Sequence, residues 1–151
     1  MLKTIISDTS CFIVLSKIGE LEILFKVYGQ VITTIEIAAE FGEELPDWVE
    51  LATVADKYRQ KILEMQIDKG ESSAIALALE TANSTVILDD YKARKIAERL
   101  GISYTGTIGV IVKAKLKGII PSIKPLLQKI KQTDFRLSTD LELQALKEAN
   151  E

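Results

Sequence analysis

Two consecutive aspartates, Asp89 and Asp90, stand where the apolar run "VIL" at residues 86–88 gives way to the charged stretch "YKARKIAERLG". Val86, Ile87 and Leu88 predict a short buried strand, and the spacing from Lys92 onward predicts a helix. Paired carboxylates at such a junction repel each other unless water, a hydrogen bond or a cation compensates. One of the two has an ordinary role open to it, because aspartate caps helix N-termini and suits the positive end of the helix dipole. The second needs another reason, and a bound cation would supply one.

The chain contains no histidine. That removes Ser-His-Asp and Cys-His catalysis, histidine general bases and the usual zinc enzymes. Any chemistry must rest on carboxylates, hydroxyls and lysines, and an all-carboxylate site suits Mg²⁺ or Mn²⁺. Further acids occupy comparable places. Asp8 ends the apolar run "TIIS", and Glu71 follows Gly70 at the start of an Ala/Leu-rich helix, where the dipole favours a carboxylate. Glu36 and Glu40 lie four apart and share a helix face. Glu40 is the better candidate, because Ala38 and Ala39 beside it permit close packing. Each acid alone is as well explained by a solvated helix surface. Gathered at one place they need a cation, which would lower the pKa of a bound water and stabilise the leaving oxygen of a phosphodiester.

The elements that must position these acids alternate. Short strands are predicted at Thr4–Ser7, "QVITT", "WVELATV", residues 86–88 and "ISYTG". Between them lie helical patterns: two short apolar ones closed by Gly19 and Gly29, one starting near Thr34, "ADKYRQKILEMQ", and a buried one opening at Gly70. After the last strand come "TIGVIVKAKLKG", a helix started by Pro121, and a peripheral helix over about 138–149. Alternation of this kind predicts a three-layer α/β/α domain with a mostly parallel sheet. Ligands then bind beyond the carboxyl ends of the strands. Asp8 and the Asp89–Asp90 pair both fall on that edge.

The chain's 151 residues suit a single domain over residues 1–151, and 47% hydrophobic with 27% charged residues is a globular composition. No apolar run reaches the length of a membrane helix, and the N-terminus lacks a signal-peptide layout, so a cytoplasmic location is expected. The lone Cys11 excludes an internal disulfide and is expected to be a buried structural thiol. Net charge is −3, yet residues 86–136 carry eleven basic and four acidic residues. That asymmetry permits a polyanionic partner, although lysine-rich helix surfaces are common.

The motifs "SDTS", "TTIEIAAEF", "GESSAIALA", "LDDYKARKIAERLG" and "TGTIGVIVKAKLKGII" together resemble the PIN-domain family. The likeness is to the branch in which a DD…AR…A…LG block precedes a GT-G…AK…G block, and it runs from about Ile5 to Ile120. The resemblance implies a metal-dependent ribonuclease, many relatives being toxins of toxin–antitoxin pairs. It places catalytic acids at Asp8, Glu40, Glu71 and the Asp89–Asp90 pair, with Asp8, Glu71 and Asp89, Asp90 or both as metal ligands. Ser10 and Thr107 become supporting hydroxyls, and Lys92 and Arg94 phosphate contacts. It further implies Mg²⁺ or Mn²⁺, an RNA substrate, a small antitoxin protein and a homodimer. The apolar segment Ser10–Leu24 offers a surface for such partners. Two positions depart from the pattern: Glu71 stands where many relatives have aspartate, and Thr34 stands where a proline is common. A non-catalytic RNA- or antitoxin-binding module and a receiver-like phosphoacceptor domain are the alternatives.

Overall fold

The β-branched runs form strands: β1 (Thr4–Ser7), β2 (Val31–Thr34), β3 (Val49–Ala52), β4 (Ser84–Ile87) and β5 (Ser103–Thr105). They pair in parallel throughout, in the order β3-β2-β1-β4-β5, in the computed structural model, which describes residues 3–151. Parallel neighbours need crossovers, and helices supply them. α1 (Thr9–Lys17) and α2 (Ile23–Tyr28) link β1 to β2, and α3 (Ile35–Phe41) links β2 to β3. α4 (Lys57–Glu64) and α5 (Lys69–Leu79) lead back to β4, and α6 (Tyr91–Arg99) leads to β5. α7 (Thr107–Leu116), α8 (Lys124–Lys131) and α9 (Thr139–Glu148) complete the chain. The result is the expected three-layer α/β/α arrangement.

The chain starts in the middle of the sheet. It runs outward through β2 to β3, then returns to lay β4 against the other side of β1. Strand order therefore reverses between β1 and β4, and the crevice of such a sheet opens at that reversal. Register sharpens the point: Ser7 pairs with Ile87, so the two strands end side by side.

Two local expectations need correction. β4 begins at Ser84 and ends at Ile87, so Leu88 lies beyond it, its amide donating to the Thr105 carbonyl at 2.8 Å. Pro121 does not start a helix; Pro125 does, in the first turn of α8, where a missing N–H costs nothing. The apolar segment of α1 and α2 also has an internal explanation. Phe12, Val14, Leu15, Ile23 and Leu24 are buried in the chain's own core, and only Phe25 is largely exposed. That segment is not left bare for a partner. α5 is buried on nearly every side, from Gly70 to Ala78, because its small residues let it press on the sheet and on α3 and α4. α9 is anchored by Ala145 and Ala149, both buried.

Candidate active site

Asp8 follows β1 directly and is only 2% exposed. Its Oδ1 caps α1 by accepting the Cys11 amide at 2.9 Å, and its Oδ2 accepts the Asp89 amide at 3.0 Å. The carboxylate thus bridges the ends of the two adjacent central strands. Burial, and then the charge of Asp89, push the Asp8 carboxyl well above the ordinary range despite those two amides. Burial likewise raises the Cys11 thiol, the structural thiol expected.

The two consecutive aspartates have different jobs. Asp90 caps α6, its Oδ2 accepting the Ala93 amide at 3.0 Å. Asp89 turns towards Asp8 and is held by hydroxyls from both flanking helices. Its Oδ2 accepts Ser10 Oγ at 2.7 Å and Thr107 Oγ1 at 2.6 Å, and its Oδ1 accepts the Thr107 amide at 2.8 Å. Ser10 and Thr107 thus both hydrogen-bond the Asp89 carboxylate. Thr107 is fully buried, so Thr107→Val removes one bond to a carboxylate without changing shape. It is expected to cost about 1.5–3 kcal/mol in urea unfolding and to slow catalysis by loosening Asp89.

A cleft of about 430 Å³ opens over Asp8, lined also by Thr9, Ser10, Glu40, Asp68 and Glu71. Asp68 caps α5 by accepting the Glu71 amide at 2.8 Å. Gly70 lets α5 approach α3 closely, since a Cβ there would stand 3.0 Å from Glu40 Oε1 and 3.4 Å from Thr9 Oγ1. Partial burial, then Asp68 and Asp90, and more weakly Glu40, push Glu71 up to about 8. Asp90 is thus a cap that still presses its charge on the cleft. Glu36, four residues before Glu40, is engaged elsewhere, by Gln60 at 2.8 Å and Lys57 at 3.7 Å. Lys92 is exposed on α6 and lines no part of this cleft, whereas Arg94 lies beside Asp89 across Gly106.

A family model described as a PIN domain matches residues 4–151. The chain belongs to the PIN-domain family. No curated protein and no solved structure matches it significantly. PIN domains are of the nuclease type and usually use divalent metals, which places the chain, coarsely, among hydrolases.

The cleft fits such a cation in its chemistry. Its donors are oxygens, its acids are crowded enough to hold protons, and buried Thr9 Oγ1 has no hydrogen-bond partner among the described residues. Among the described residues no three acids close into a complete cage. Mg²⁺ does not require one, because it binds through one or two carboxylates and keeps several waters. In this PIN domain Asp8 lines the cleft with Glu40, Asp68 and Glu71, and Asp89 adjoins it through the hydrogen bond of its amide to Asp8. Asp8 and Asp89 are the acids that would hold a cation there.

Sequence reasoning missed Asp68 and Thr9. The signal for Asp68 was present, since Asp68-Lys69-Gly70-Glu71 has capping-box spacing. Thr9 gave none, because a threonine after an aspartate reads as part of the helix start. No helix among the described residues is long and apolar enough to cross a membrane.

Proposed function

We propose that this PIN domain is a Mg²⁺- or Mn²⁺-dependent endoribonuclease that hydrolyses RNA phosphodiesters. The observation that carries this reading is the buried Asp8 carboxyl that accepts the Asp89 amide, in a cleft where Glu40, Asp68 and Glu71 crowd together. When bound, a hard divalent cation supplies a lowered water pKa and stabilises the leaving oxygen. Asp8 and Asp89 would hold the cation, and Ser10 and Thr107 fix the Asp89 carboxylate by hydrogen bonds. Glu71, carrying a proton up to about pH 8 without the cation, is the acid across the cleft placed to accept or return one. Glu40 adds negative charge that draws a cation inward.

The toxin role, the antitoxin partner and the homodimer rest on family likeness. An exposed apolar row along α4 and its C-cap, Tyr58, Ile62 and Met65, offers a surface for either partner. The test of activity is direct. Purified protein incubated with RNA is expected to cut internally in Mg²⁺ or Mn²⁺ and not in EDTA. Equal cutting in EDTA, or none in either metal, would sink the assignment.

A further inference from the structure

A second cavity, of about 280 Å³, adjoins Asp89 and shares Phe135 with the acidic cleft. Its walls include Arg94, Tyr104 and Arg136, and α9 contributes Gln144. Among the described residues neither arginine forms an ion pair, although seven other pairs form across the molecule. Arg94 is nevertheless held in place. Its Nε donates to the Leu88 carbonyl at 2.6 Å, and its guanidinium carbon lies 5.5 Å from the centre of the Tyr104 ring. Gly106 makes room for it. The backbone there has φ −126°, which any residue adopts, so conformation does not demand a glycine. Space does: a Cβ would collide with Arg94 Nη2 and lie 3.1 Å from Asp89 Oδ1.

These features describe a seat for an anion with a flat apolar group attached. A planar guanidinium that stacks on Tyr104 presents its terminal N–H groups to a phosphate's oxygens, and Phe135 offers a ring on which a base stacks. Aromatic residues make up only 6% of the chain, yet two of them line this cavity beside the candidate catalytic carboxylate. The cavity has room for about one nucleotide and not for a base pair. α9, on the periphery of the sheet, becomes a wall of this seat.

We propose that this cavity is the subsite for one unpaired RNA nucleotide flanking the phosphodiester held at Asp8 and Asp89, with Arg94 gripping that nucleotide's phosphate. The proposal rests on the nuclease reading and adds to it the place where the neighbouring nucleotide sits. Arg94 is a binding residue in this account, and Gly106 a positioning residue that keeps its seat open.

The test measures binding by fluorescence anisotropy, with a labelled single strand and the same sequence as a duplex. Ca²⁺ replaces Mg²⁺, and gels verify that the strand stays intact. Arg94→Ala and Gly106→Ala are each expected to weaken single-strand binding about tenfold. Gly106→Ala keeps every charge but pushes the Arg94 guanidinium off its seat, and a thermal melt of each variant verifies that the strand meets folded protein. Lys61→Ala, at an exposed lysine on α4 that lines neither cavity, is expected to bind as the parent does. The duplex is expected to bind more weakly than the single strand. Parent-like binding by both cavity variants, or equal affinity for duplex, would overturn the subsite. If that result accompanies metal-dependent cleavage by the parent, the nuclease reading stands alone. Weakened binding by both variants in a protein that cuts no RNA supports the seat and removes the nuclease reading instead.

Discussion

Asp89→Asn is expected to lower Mg²⁺-dependent RNA cleavage by about 10²- to 10⁴-fold while leaving the metal-free melting temperature level or higher. The local hydrogen bonds explain why stability survives. Ser10 Oγ and Thr107 Oγ1 both donate to Asp89 Oδ2, and hydroxyls can rotate to accept from an amide nitrogen instead. The Thr107 amide keeps an acceptor at Oδ1. What disappears is a negative charge facing Asp8, whose own carboxyl is raised partly by that charge.

Asp8→Asn is expected to lose activity to the same extent but to behave differently on heating. One Asp8 oxygen accepts from Cys11 and the other from the Asp89 amide, and neither donor can turn round. An amide nitrogen facing the Asp89 N–H leaves that group unsatisfied, at a cost of about 1–3 kcal/mol that offsets the relief of burying a charge. Asp90→Asn is the control. Asparagine caps a helix about as well as aspartate, so cleavage within a few-fold of the parent and an unchanged melting temperature are expected. Cleavage assays and metal-free thermal melts on the three single variants decide the matter. Full activity in Asp8→Asn and Asp89→Asn would remove the shared metal site. Inactivity in Asp90→Asn alone would reverse the assignment of the pair.

Glu71 sets the expected pH dependence. In the folded protein it holds its proton up to about 8, against an ordinary value of 4.5. Between those values the folded state binds more protons than the unfolded state, so stability falls as pH rises. The contribution is fully present below pH 4.5 and has gone once pH exceeds about 8. Asp8, raised in the same direction, adds to the slope. Metal-free melting temperatures of the parent and Glu71→Gln, compared from pH 5 to 9, are expected to converge at low pH. The variant should become the more stable of the two as pH rises.

A cation reverses this penalty, because it takes the proton's place. Mg²⁺ affinity in the parent is therefore expected to rise by up to about tenfold per pH unit below pH 8, and cleavage at subsaturating Mg²⁺ to follow it. Glu71→Gln is expected to flatten that rise. A melting difference between the two proteins that stays constant across the pH range would show that Glu71 is not crowded by Asp68 and Asp90.

Much of the chemistry was legible in the residue types. A chain without histidine and with a single cysteine, carrying acids after two apolar runs, points to an oxygen-ligand site. The periods of the apolar residues also determined the alternation of strands and helices, because side-chain direction repeats locally along each element. β1, β2, β3 and β5 lie where that pattern put them. Turn and cap residues marked most helix ends, Thr34 and Ser138 among them, each accepting from the amide three residues on.

The tertiary structure decided which strands are neighbours, and with that the site. Nothing local in "TIIS" or "STVI" requires Ser7 to lie beside Ile87; that pairing joins residues eighty apart and depends on how the whole sheet packs. Only once β4 lies against β1 can the Asp89 amide reach Asp8 and two hydroxyls from α1 and α7 converge on one carboxylate. The choice between Asp89 and Asp90 has the same origin. Both follow an apolar run, but α6 begins at Tyr91, which commits Asp90 to the cap and leaves Asp89 to Ser10 and Thr107. The cavity around Arg94 was less legible still, since its walls come from α6, β5, α7 and α9, and only packing brings those segments together.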